Sequence, residues 1–138
     1  MTAKEYLEQI KKIDTMIDNK IIEQRQWLDI ALNTTTSFGE KVQSTPNGQK
    51  MANAMDNHID IGREIDRCID ELWEKKQEVI KTIEQLCEAE YDVLHKIYVQ
   101  YLTFDEVAEA RKMSRRWVDS THGHALLNLE VLLNDKDV

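Results

Sequence analysis

Proline occurs once in this 138-residue chain, at Pro46, and glycine only four times, at Gly39, Gly48, Gly62 and Gly123. So few turn formers exclude a many-stranded sheet protein, and the abundance of Glu, Lys, Asp, Ile and Leu favours long helices. Two cysteines, Cys68 and Cys87, are too few for a disulfide framework or a four-cysteine zinc site, and a reducing cytoplasm fits them. The sequon Asn33-Thr34-Thr35 carries no weight in such a compartment. No apolar run approaches the roughly 20 residues of a membrane span, and the first residues are charged, unlike a secretory leader. The expectation is a soluble, unprocessed, cytoplasmic protein with no membrane partner. There is no glycine-rich phosphate loop and no nucleophile with its base at a recognised spacing, so neither a cofactor nor an enzymatic activity is expected.

Positive charge is also short, with 18 Lys and Arg against 26 Asp and Glu and a net charge of −8. That balance excludes a protein that coats nucleic acid by bulk charge, so any DNA contact must be local. Between Glu88 and Leu133 the basic residues are Lys96, Arg111, Lys112, Arg115 and Arg116, outnumbered by Glu88, Glu90, Asp92, Asp105, Glu106, Glu109, Asp119 and Glu130.

What the chain does have is helical periodicity. Tyr6, Ile10, Ile13, Ile17, Ile21, Trp27, Leu28 and Ala31 recur mostly three and four apart, the spacing of a one-faced helix over about residues 2–33, with Lys20 and Gln24 interrupting the seam. The stretch from Thr34 to Gly48 gathers Thr, Ser, two glycines and the proline and reads as a loop of about 15 residues. From Met51 a heptad pattern follows through Met55, Gly62, Ile65, Ile69, Leu72, Lys76, Val79, Ile83 and Leu86. Its partner is either the first helix, folded back as an antiparallel hairpin, or a second chain. Trp27 and Trp73 are expected to anchor this pairing, and Cys87 to be a small core residue beside a partly exposed Cys68.

The last third changes texture. Tyr91, Val93, Leu94, Ile97 and Tyr98 mark an amphipathic helix, and Thr103-Phe104-Asp105-Glu106 is a capping box that starts another. That helix should stop near Lys112-Met113, because Ser114 is a good N-cap for the next. Two helices joined by so short a turn make a helix-turn-helix. After Ser114, the residues Val118, Thr121, Ala125, Leu129 and Leu132 form an inward stripe, while Arg116, Asp119, Ser120 and Gly123 point outward with Arg115 at the edge. Leu126, Leu127, Val131 and Leu133 make the final turns apolar almost all round, so they should dock on the long helices or on another subunit.

The block from Glu90 to Leu129 resembles region four of bacterial sigma factors, with Tyr98, Glu106, Val107, Ala108, Met113, Ser114, Arg115, Val118, His122, Ala125, Leu126 and Leu129 at the corresponding places. Taken whole, with its acidic helices and the segment Val42-Gln43-Ser44-Thr45-Pro46, the chain resembles small phage and prophage transcriptional regulators of the ArpU and RinA type. The resemblance implies an all-α protein. A long helical hairpin or coiled coil over 1–87 would serve oligomerisation or partner binding, and a helix-turn-helix over 88–138 would bind DNA. It implies a promoter or operator as ligand, RNA polymerase as a further partner, a homodimer, and a bacterial cell as the setting. Arg115 and Arg116 are the first candidates for DNA contact, since Arg can make two hydrogen bonds to guanine. Ser120 and His124 come next, with Lys112 and Asp119 completing the face. The sequence departs from the pattern at Lys112, where glycine is usual, and at Asp119, Ser120, Gly123 and His124, where basic residues are common. Trp117 is expected to pack against the preceding helix. His122 and His124 have no further ligands for a metal, but their protonation near pH ~6 would strengthen DNA binding. Two other readings stand beside this one: a small DNA-packaging subunit of the terminase type, and an interaction protein that keeps the fold and binds a protein partner.

Overall fold

The computed structural model of the chain describes residues 1–37 and 44–136. Among them the fold is all-α, with no strand: α1 (Ala3–Ser37), α2 (Ser44–Ile83), α3 (Glu88–Leu94), a π-helical continuation (His95–Val99), α4 (Phe104–Arg111) and α5 (Arg115–Lys136). No helix of the described residues is long and apolar enough to cross a membrane. The two long helices extend through 34–37 and 44–48, both inside the stretch expected as a loop, whose centre at 38–43 lies outside the described residues. Pro46 is compatible with this because it falls in the first turn of α2, where backbone N–H groups have no intrahelical acceptor to lose. The start of α1 carries a reciprocal cap that the periodicity alone did not reveal. Glu5 N–H donates to Thr2 Oγ1 at 3.2 Å and Thr2 N–H to Glu5 Oε2 at 3.1 Å.

The chain forms two compact units, Met1–Lys12 with Leu72–Val138, and Ile13–Glu71. In the first, Leu7 and Ile10 of α1 and Val79 and Ile83 of α2 are buried with Leu94, Tyr98, Ala125 and Leu129. Leu126 and Leu133 are half-buried against the same cluster, so the apolar end of α5 docks on the outer turns of both long helices. Leu127 and Val131 remain exposed. Tyr6 joins the two long helices here, its hydroxyl 3.1 Å from Thr82 Oγ1 and 3.3 Å from Glu78 Oε2.

In the second unit the polar residues that break the α1 seam have partners on α2. Lys20 Nζ donates to Glu64 Oε2 at 2.8 Å, and His58 Nδ1 lies 3.1 Å from the carbonyl of Gln24. Partner numbers fall on α2 as they rise on α1, so the segments run in opposite directions. Ile13, Ile17, Ala31, Ala54 and Ile65 are buried. Trp73 is 64% exposed, which corrects the expectation that it anchors the hairpin, and Ile69 is 48% exposed. The reason is angular: Ala54, Ile65 and Val79 form the buried stripe, and Ile69 and Trp73 lie roughly 40° and 80° around the helix from Ile65, beyond its covered edge. Cys87 is likewise exposed rather than core, because it stands in the break between α2 and α3, while Cys68 is half-buried as expected.

Candidate nucleic-acid interface

Local signals in the sequence position the surface around α4 and α5. Thr103 Oγ1 accepts from Glu106 N–H at 3.2 Å while Glu106 Oε1 accepts from Thr103 N–H at 3.0 Å, which fixes the start of α4. At its other end Lys112 adopts φ 56° and ψ 41°, the left-handed region that favours glycine. Met113 N–H donates to Ala108 O at 2.9 Å and Lys112 N–H to Glu109 O at 3.2 Å. These are the paired bonds of a Schellman end, so the turn keeps its geometry at a cost of about 1 kcal/mol for the side chain. Ser114 then caps α5, its Oγ accepting from Trp117 N–H at 3.0 Å.

Beneath this turn Val93, Val107 and Val118 are buried together, with Phe104, Ala108 and Trp117 half-buried around them. Trp117 therefore packs as expected, and Arg111 lies over its ring, 5.4 Å from the centroid. Two further strained or unusual features adjoin: the π-helical turn ending with Gln100 N–H on His95 O at 3.0 Å, and Tyr101 at φ 63°. A bulky residue held in the left-handed region persists only where its surroundings enforce it. Tyr101 is half-buried against the core cluster, with Lys11 Nζ 5.2 Å from its ring centroid.

The six residues singled out in the sequence, Lys112, Arg115, Arg116, Asp119, Ser120 and His124, are all exposed. On α5, Val118, Ala125 and Leu129 face inward and are fully buried. The six differ in how free they are. Arg115 donates from its NH1 nitrogen to Asp105 at 2.9 Å and from Nε to Asp119 at 3.2 Å, and its guanidinium lies 5.0 Å from the Phe104 ring centroid. The hydrogen bond to Asp105, then that to Asp119, holds its pKa above the ordinary arginine value. Arg111 is bound by Glu88 at 2.7 Å and Asp92 at 3.1 Å, and Lys96 by Asp92 at 2.7 Å. Of the five basic residues in this part of the chain, three are thus occupied, and among the described residues Lys112 and Arg116 form no ion pair.

His122 is half-buried. It lies between Tyr98 and Phe104, with ring centroids at 5.8 and 4.9 Å, and burial, followed by the charge of Lys4, pushes its pKa down. Of the two histidines expected to charge this face on protonation, only His124 is exposed there, and the downward shift of His122 opposes its contribution. Asp105, as a partner of Arg115, was missed in the sequence because the two stand ten residues apart across the turn, a separation no single-helix spacing encodes.

No family model, no curated protein and no solved structure matches the chain.

Proposed function

We propose that the chain is a DNA-binding transcriptional regulator of the phage type, in which α4, the Lys112 turn and α5 act as a helix-turn-helix of the kind found in sigma region four. The observation that carries this reading is the division of α5: an exposed N-terminal face bearing Arg116, Ser120 and His124 backs onto the buried Val118, Ala125 and Leu129. In a helix-turn-helix the N-terminal residues of the second helix meet base edges in the major groove. Lys112 and Arg116 supply the free charge for phosphate or guanine, Ser120 and His124 supply hydrogen-bonding groups, and Arg115 is oriented by Asp119. A homodimer places two copies of α5 on half-sites about one helical turn apart, and the long helices supply the pairing surface or a contact for RNA polymerase.

A second reading has its own support. The neutralisation of Arg115, Arg111 and Lys96 by carboxylates, with the net charge of −8, suits a helix-turn-helix protein that binds a protein partner instead of DNA. Fluorescence anisotropy with fragments of the neighbouring genome separates the two. Tight binding of one fragment at physiological salt that collapses in Arg115→Ala/Arg116→Ala supports the first reading. Absence of selective binding, or indifference to the double substitution, overturns it.

A further inference from the structure

The second unit, Ile13–Glu71, holds a cavity of about 480 Å³ between the C-terminal half of α1 and the N-terminal half of α2, a volume in the range of sites that take ligands. Its floor is apolar: Ala54 is buried, and Trp27 and Ile30 are half-buried. Its rim is a row of carboxamides on α2, Gln49, Asn53 and Asn57, each four residues from the next, with Lys50 beside them. No carboxylate is among the described residues that line it, in a chain where acids outnumber bases 26 to 18. Lys50 forms no ion pair among the described residues. Gln49 Nε2 donates to Asn53 Oδ1 at 3.0 Å, which leaves the Gln49 oxygen as an acceptor and the Asn53 amino group as a donor. The Asn57 carboxamide makes no hydrogen bond among the described residues.

We propose that this cavity binds an extended peptide segment of a partner protein, with an apolar side chain of the segment on Trp27, Ile30 and Ala54 and its backbone paired to the carboxamide row. The spacing carries the assignment. Four residues of helix rise about 6 Å, and two residues of an extended strand advance about 6.7 Å. Every second residue of a strand turns its N–H and C=O to the same edge, so three carboxamides at this interval meet alternate residues of a strand laid along α2. Each carboxamide carries both the donor and the acceptor that a peptide unit needs. The strand's side chains alternate between the cavity floor and solvent, so the floor selects at every second position while the backbone bonds are indifferent to sequence. Lys50, at a rim without carboxylates, favours an acidic residue beside it. A nucleobase offers its edge to one carboxamide and leaves the repeat unexplained. A helical segment has its interior backbone groups already paired and offers the row nothing to bond.

The site does not depend on DNA binding, so it is tested on the full chain without DNA, against a positional-scanning library of acetylated and amidated heptapeptides. The expected profile is an apolar residue at one position, or at two positions two apart, with Asp or Glu adjacent. The best heptapeptide is then resynthesised and titrated by isothermal calorimetry. N-methylation of its backbone amides at alternate residues of one parity should weaken binding by about tenfold, and at the other parity by much less. Asn53→Ala/Asn57→Ala, at helix positions that alanine suits, should also weaken it by about tenfold, with helicity followed by circular dichroism. Lys50→Glu should abolish the acidic preference and keep the apolar one. No selected residue at any position, or no binding at about 1 mM peptide, overturns the proposal. So does a selected peptide that both methylation sets impair equally, as they would a bound helix, or one whose binding is unchanged in Asn53→Ala/Asn57→Ala.

Discussion

Tyr98 Oη and His122 Nε2 lie 2.8 Å apart, with their rings nearly parallel at 19°. The pair ties the π-helical segment to α5 through two groups that resist charging. Burial, then the charge of Glu8, pushes the Tyr98 phenol up to about 12, and burial holds the His122 imidazole below its ordinary value. The consequences for stability have opposite signs at the two ends of the pH scale. An unfolded imidazole takes up a proton near 6.5 that folded His122 refuses. Its contribution is therefore complete above that value and is lost as pH falls through the lower folded value. His95, also held down chiefly by burial, acts in the same direction. An unfolded phenol ionises near 10.0, so the Tyr98 contribution is complete below that and is lost as pH rises towards about 12. Thermal unfolding from pH 5 to 11 should show both limbs. Tyr98→Phe should cost about 1 kcal/mol at neutral pH and flatten the alkaline limb, whereas His122→Asn should shallow the acid limb without abolishing it.

The occupancy of the arginines leads to an asymmetric expectation for DNA. With Lys112 and Arg116 as the free cations, log K should fall with log salt at a slope of about −2 per chain. Arg116→Ala should reduce affinity by about tenfold. Asp105→Asn with Asp119→Asn frees Arg115 and removes two negative charges from the face, so affinity should rise and the slope steepen to about −3. Anisotropy titrations at four salt concentrations measure all three, and unchanged slopes across the set would remove Arg115 and Arg116 from the interface.

Short helices lean on their ends. α4 has eight residues, too few to be stable without its cap and the packing of Val107. Thr103→Ala and Ser114→Ala should each cost about 1 kcal/mol. Lys112→Gly should act in the opposite sense, relieving the left-handed side chain and stabilising the fold by up to about 1 kcal/mol. It also deletes one of the two free cations, so the same variant should melt later and bind DNA more weakly. Stability by urea titration and affinity by anisotropy separate the effects.

Much of this was legible in the sequence where a rule acts over a few residues. The capping box at Thr103, the Ser114 cap and the buried stripe Val118, Ala125 and Leu129 each follow from spacing of three or four. The heptad reading of α2 merged covered and uncovered residues, because Ile69 and Trp73 lie only roughly 40° and 80° around the helix from Ile65, and apolar content does not say where the covered edge falls. The helices reach into 34–37 and 44–48 because turn-favouring residues are tolerated in terminal turns. The clamp of Asp105 on Arg115 and the pairing of Tyr98 with His122 join separate elements, so only tertiary structure brings them together.

The burial of Leu7 and Ile10 with Leu94, Tyr98 and Leu129 makes the C-terminal helices depend on the first twelve residues. Each of these side chains is at most 9% exposed, and removing α1 from that cluster uncovers an apolar surface that α3 and α5 cannot close alone. Leu7→Ala should cost about 2 to 5 kcal/mol, the range for a buried leucine whose cavity does not collapse. Hydrogen exchange locates the loss. Amides of α3 and α5 should exchange faster in Leu7→Ala but much less so in Ile17→Ala, whose side chain is buried in the other unit. A fragment beginning at Glu88 should likewise retain helix but bind a hydrophobic dye and lack a cooperative melt. A fragment that melts cooperatively, or equal acceleration of α5 exchange in both variants, would show that α5 is stabilised without the outer turns of α1.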